Sequence, residues 1–183
     1  MLCACDTVFV EETVFVKETV FVDGPVFVDV RRATPDEWEL TRDIRLRSLA
    51  EDPNAFCSSL ERARSYDAEV WRSRLDQAET VLARVDGAVV GTVTGKDDPD
   101  EAGGREVVAM WVDPAHRRSG VARALLGDLV RRAREAGVAS VALWVADDNE
   151  PAMRAYEKFG FTLTGEREVM RPGVDQLRMR LPL

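Results

Sequence analysis

The residues best able to hold an anion lie between Val112 and Leu126. Here a β-like run enters a short basic turn, Arg117-Arg118-Ser119-Gly120, which opens directly into an amphipathic helix. A turn of this kind offers successive backbone N–H groups at a helix N-terminus, where the helix dipole favours negative charge. Gly120 lets the backbone approach a ligand closely, and Ala122 leaves room for a bulky diphosphate. The stretch lacks the Gly-Lys-Ser/Thr of a P-loop and the Gly-x-Gly-x-x-Gly of a dinucleotide fold. An ordinary turn with solvated arginines is the alternative.

A second group follows the next strand. Asn149 has the side chain to cap a short helix, in which Ala152 and Tyr156 stand four apart and so share a face. If both helices follow parallel strands, their N-termini meet at one edge of the sheet, the edge where open α/β sheets bind ligands. Tyr156 could then reach a leaving group in the crevice. A core aromatic with a satisfied hydroxyl is the other reading of that residue.

The elements that must position these groups are legible from Val26 onward. Val26–Arg32 reads as a strand. Thr34-Pro35-Asp36-Glu37 is a capping box that starts a helix through Trp38, Ile44 and Leu49. A loop over 52–56 precedes a second helix, roughly 67–77. Runs 80–85 and 88–94 flank Asp86-Gly87, a strong hairpin signal. After an acidic loop, 96–104, the order is a strand over 105–112, a helix over 122–136 closed by Gly137, and a buried-type strand over 138–145. A helix over 149–159 and short strands at 161–164 and 177–181 finish the chain. The expected fold is α/β (α+β), with a meander leading into β-α-β-α-β-β.

Composition narrows the function. The 183 residues favour one folded domain. Thirty-three acidic against 25 basic residues leave a net charge of −8, which excludes a typical nucleic-acid binder. No apolar run reaches the roughly 18 residues of a membrane span, and no secretory signal is visible, so a cytoplasmic protein is expected. Cys3, Cys5 and Cys57 with the single His116 make neither a disulfide framework nor a metal set, so no metal is expected. His116 is read as a surface or cofactor-edge residue. Trp38, Trp71 and Trp144 are read as packing and Trp111 as a border of the acceptor site.

Residues 7–30 repeat Val-Phe-Val with a period of six. We read 1–24 as a low-complexity leader, with 25–183 as the folded domain. A self-associating edge or docking arm is the functional alternative, and a homodimer is compatible with it.

Arg117-Arg118-Ser119-Gly120-Val121-Ala122, with Met110 to Pro114 before it and Asn149 to Phe161 after it, resembles the GNAT superfamily of N-acetyltransferases. The likeness covers about residues 26–183, and Trp38 to Phe56 resembles the acceptor-side helices of some bacterial members. It implies a mixed, mostly antiparallel central sheet with flanking helices and a splayed cofactor crevice. Acetyl-CoA is implied as donor and an amine, on a small molecule or a protein, as acceptor.

By resemblance, the amides of Arg118, Ser119, Gly120, Val121, Ala122 and Arg123, led by Arg117, hold the pyrophosphate. The backbone of Met110 and Val112 pairs with the pantetheine arm, and Asn149 contacts the cofactor. Tyr156 is the general acid. Glu106 is a base acting through water, and its even spacing from Met110 and Val112 suggests one strand face unless a bulge shifts it. Arg118 stands where many relatives carry Gly, and it could instead grip the 3′-phosphate. The acidic run Asp97-Asp98-Pro99-Asp100-Glu101 could steer a cationic acceptor. A non-catalytic acyl-CoA sensor is the alternative function. An interaction protein built on the repeat is a third reading.

Overall fold

The computed structural model describes residues 19–21 and 25–183. Strands β1 (Thr19–Phe21) and β2 (Pro25–Phe27) form an antiparallel pair with Val20 opposite Val26. The rest of the Val-Phe-Val leader lies outside the described residues. The first strand expected over 26–32 is split. The chain breaks at Val28, and β3 (Asp29–Arg32) enters a different, seven-stranded sheet. Val28 is 1% exposed, so the break carries a core side chain rather than a loop residue.

That sheet has the order β3-β4-β5-β6-β7-β9-β8. Strands β4 (Glu79–Val85) and β5 (Ala88–Asp97) turn over Asp86 and Gly87, both at positive φ as a tight hairpin of this type requires. Strand β6 (Gly104–Val112) runs antiparallel to β5 and parallel to β7 (Ser140–Ala146), and the remaining neighbours are antiparallel. Strands β8 (Thr162–Arg171) and β9 (Val174–Pro182) extend well beyond the short runs read from sequence. Strand β9 inserts between β7 and β8, which leaves β8 as a largely exposed edge. Its polar sequence hides the strand because an edge facing water needs no apolar alternation.

Helices α1 (Trp38–Glu51), α2 (Leu60–Arg64) and α3 (Ala68–Gln77) gather on one face. Ile44 and Leu75 pack there on Leu82 and Trp111. The short α2, capped by Ser59, was not expected from sequence. Helices α4 (Val121–Glu135) and α5 (Glu150–Phe159) cover the other face, where Leu125 and Leu129 join Val81, Ala83 and Val107. Helix α4 sits close to β5 because β5 carries no side chain at two points beneath it. A Cβ added at Gly91 would lie 3.0 Å from both Leu125 and Val121, and one at Gly95 2.9 Å from Leu129. Among the described residues no helix is long and apolar enough to cross a membrane.

The start of α1 is fixed by charge. The Glu37 carboxylate accepts from both Arg31 guanidinium nitrogens (2.7 and 2.5 Å), from Arg84 (2.8 Å) and from the Thr34 amide (3.0 Å). These bonds, that from Arg31 foremost, hold the Glu37 carboxyl down at about 2. A depressed carboxyl contributes stability above its unfolded pKa and loses it as pH falls through the folded value. Glu37→Gln is therefore expected to cost about 1–3 kcal/mol at pH 7. The difference from wild type in urea unfolding should shrink between pH 4.5 and pH 2. An unchanged difference across that window would show that the pair carries no net stability.

Candidate functional site

The parallel pairing of β6 with β7 stops early. It runs from Gly104↔Ser140 to Val107↔Leu143 and no further. Beyond it, β7 from Trp144 to Ala146 stays with β9, while β6 up to Val112 stays with β5. The two strands part and a wedge opens between them. The cause is a bulge: Thr92 pairs with Trp111 and Thr94 with Val108, so Val93 alone faces Ala109 and Met110. Ala109 adopts φ +54, an unusual value for a residue with a Cβ. From Val108 onward the side of β6 turned to β7 has no strand partner, an edge that an extended ligand could join as an added strand.

The bulge also settles which residues share a face. Val107, Met110 and Val112 join the core under α4 and α5, whereas Trp111 packs under α1 and α3. Glu106, paired across the sheet with Lys96, belongs to the α1/α3 side. The even spacing that would put Glu106 with Met110 and Val112 is therefore broken by the extra residue. Lys96 Nζ lies 2.8 Å from the largely buried Glu106 carboxylate.

The basic turn stands at the mouth of the wedge. Asp113 caps a 3-10 turn, Pro114–His116, by accepting from the Ala115 amide (2.9 Å). Ser119 Oγ donates to the His116 carbonyl (2.6 Å). Arg118 (φ +63) and Gly120 (φ +89) are both left-handed, which aims the following amides outward. Among the described residues the amides from Arg118 to Arg123 have no hydrogen-bond acceptor, and Gly120 provides no side-chain cap. The Arg118 guanidinium is exposed and forms no ion pair among the described residues. Arg123 lines a groove of about 410 Å³ with Arg131, Arg134 and Lys158.

Arg117 is placed differently from the rest of the turn. Its amide donates to Pro114, its Nε donates to the Val112 carbonyl (3.0 Å), and its terminal nitrogen binds Asp52. Although the side chain is exposed, both of its donor ends are taken by protein acceptors, so it braces the turn. Asp52 Oδ2 also accepts from Trp111 Nε1 (2.7 Å). Arg47 similarly ties α1 to Asp113 and to the Val89 carbonyl (3.2 Å). Asp52 and Arg47 were not singled out in the sequence, since their partners lie 59 to 66 positions away in some cases.

Helix α5 completes the other wall. Asn149 accepts from the Ala152 amide (3.3 Å), as a cap should. Tyr156 and Met110 pack onto the same apolar cluster, and Tyr156 meets Phe161 edge-on at 5.9 Å. Burial pushes its phenol up to about 12. Its hydroxyl has no hydrogen-bond partner among the described residues.

Most of the acidic loop is ion-paired, while the Asp97 side chain stands fully in solvent, 4.0 Å from Arg105. Asp98 (2.6 Å) and Asp100 (2.8 Å) are bound by the buried Arg178, and Glu101 is bound by Arg180. These pairs fasten the loop to β9 and offset its charge. Among the described residues no cluster of His, Cys, Asp and Glu could hold a metal, and Cys57 is an exposed free thiol.

On the α1/α3 side of the bulge lies a cavity of about 290 Å³. It reaches from Ala109 of β6 over Thr80, Thr92 and Thr94 to Arg45 of α1 and Arg74 of α3. Sequence reading missed it. Burial, and then the neighbouring Arg74, lowers Arg45 to about 10.

Residues 44–161 match the model of the Acetyltransferase (GNAT) family. The chain is 31% identical over 143 residues to the L-amino acid N-acetyltransferase of Escherichia coli, covering 73% of this chain and 86% of that one. It is 36% identical over 116 residues to the mycothiol acetyltransferase of Thermomonospora curvata, covering 63% of this chain but only 37% of that protein. The chain thus spans little more than a third of that relative. In fold it is similar to a Salmonella typhimurium structure described as an acetyltransferase with its cofactor acetyl-CoA. There the TM-score is 0.70 at 21% identity, over 85% of this chain and 94% of that one.

Proposed function

The chain belongs to the GNAT family of acetyltransferases, and we propose that it moves the acetyl group of acetyl-CoA onto a primary amine of a small molecule. One observation carries this: an unpaired strand edge on β6 opens beside a turn whose amides have no acceptor among the described residues. An extended arm ending in a diphosphate matches both halves of that arrangement. The names of the Escherichia coli and Thermomonospora curvata relatives support a small amine as acceptor.

The amides of Arg118 to Arg123 would hold the pyrophosphate. The β6 edge at Met110 and Val112 would align the pantetheine arm. An amide there would polarise the thioester carbonyl as charge gathers on its oxygen. The neutral amine attacks the carbonyl carbon, a C–N bond forms and the C–S bond breaks. The sulfur leaves as thiolate and takes the Tyr156 phenol proton, which solvent restores. The proton released by the amine passes through water to Glu106 or directly to solvent. Asn149 caps α5, the helix that carries Tyr156.

Thiol release from acetyl-CoA, followed over a panel of small amines, tests the proposal. Amine-dependent release accompanied by the acetylated amine is the expected result. Tight acetyl-CoA binding with no turnover on any amine would overturn it in favour of an acyl-CoA sensor.

A further inference from the structure

Arg45 and Arg74 share one cavity wall and have no carboxylate partner among the described residues, although the chain carries eight more acidic than basic side chains. Elsewhere on the fold Arg31, Arg84, Arg117, Arg178 and Arg180 each have one. Arg45 is instead held by apolar and neutral contacts. Its guanidinium lies 4.3 Å from the Phe56 ring centre and reaches Ser48 Oγ at 3.5 Å. Arg74 lies over Tyr66 and Trp71. Two neighbouring guanidinium groups repel each other, and a partly buried cation without a counter-charge is costly. The third cation on this wall, Lys96, is already neutralised by Glu106. The wall therefore keeps two positive charges open to a ligand.

Position and size narrow what that ligand is. The cavity ends at Ala109, the bulge residue where β6 leaves β7, and it lies on the same face as Glu106. Between the bulge and the arginines the floor is a row of hydroxyls, with Thr80 Oγ1 and Thr94 Oγ1 3.0 Å apart and Thr92 beside them. Its volume of about 290 Å³ sits at the lower end of ligand pockets, which run from about 300 to 1,000 Å³. Building on the transferase function proposed above, we infer that the cavity takes an acceptor amine that also bears a carboxylate. Arg45 and Arg74 hold the carboxylate in charge-assisted bonds, and the amine points past the threonines to Glu106 and Ala109.

The test compares amino acids with their carboxamides and their decarboxylated amines as acceptors for the full chain. It uses Arg45→Met and the more exposed Arg74→Gln, the second serving if the first fails to fold. Wild type is expected to favour the carboxylate over the carboxamide at least tenfold in kcat/KM. Each variant should lose about tenfold or more on the carboxylate, change the carboxamide by less than threefold, and keep the KM for acetyl-CoA. Calorimetric titration of the protein–coenzyme A complex with the amino acid gives a readout independent of turnover. Binding that is lost in the variants supports the anion anchor even if no amine is acetylated, a result that would sink only the transferase function. Equal rates on carboxylate and carboxamide, or equal losses on both in the variants, overturn the carboxylate anchor while leaving transfer intact.

Discussion

Tyr156→Phe is expected to lower kcat for acetyl transfer by about 10²–10³-fold, the usual scale for losing a positioned general acid. The KM for acetyl-CoA should change little, because the ring and its edge-on contact with Phe161 survive the substitution. Burial holds the phenol at about 12, well above its ordinary value of about 10. The group therefore keeps its proton across the whole working range. The ratio of wild-type to variant rates should be flat from pH 6 to pH 9. The raised pKa also has a sign for stability: the folded state holds the proton more tightly, so wild type should lose stability relative to the variant as pH rises from 10 towards 12. Single-turnover thiol release at saturating donor measures the first effect directly. A variant with wild-type kcat would remove Tyr156 from the chemistry and leave it as a packing residue.

The second large effect belongs to Gly120. It caps α4 at φ +89 and ψ −8, a conformation that a β-branched residue adopts only under strain. Gly120→Val should force the turn to another path, cost about 1–3 kcal/mol in stability, and misdirect the amides that follow. Coenzyme A affinity should drop by about 10–100-fold, given that each 1.4 kcal/mol is tenfold. Calorimetric titration with coenzyme A reads this, with Ser119→Ala as a control that removes one hydroxyl bond and leaves the backbone path alone. Undiminished affinity in a folded Gly120→Val protein would show that the diphosphate is held elsewhere.

Much of the framework around the candidate site was legible because its signals are local. The Asp86-Gly87 hairpin, the Thr34–Glu37 box, the Asn149 cap and the apolar stripe of α4 each rest on residues within a few positions of one another. What escaped depends on distance or on backbone geometry without a residue signature. Nothing in Val108-Ala109-Met110 announces a bulge, since Ala is an uncommon choice for φ +54. The face of Glu106 could therefore not be settled from spacing. Arg117 belongs by position to the anion turn, yet Asp52, 65 positions earlier, draws its side chain away. The acidic loop looked free because Arg178 and Arg180 are far off in sequence. One missed feature had left a trace. On β5, Thr92, Thr94 and Lys96 alternate with Gly91, Val93 and Gly95, so a polar row lies on a face that helices cover. A polar row under helices marks a cavity rather than a core.

The Asp52 carboxylate is a shared joint. It ends α1, which walls the acceptor cavity, and it binds both Trp111 on β6 and Arg117 at the base of the anion turn. Whatever shift donor binding imposes on the turn is thus felt at the end of α1, and the reverse holds equally. Thermodynamic reciprocity then requires that any gain in acceptor affinity on loading the donor be matched by the same gain in donor affinity on loading the acceptor. Loosening the joint with Asp52→Asn would weaken that mutual help without touching either binding surface.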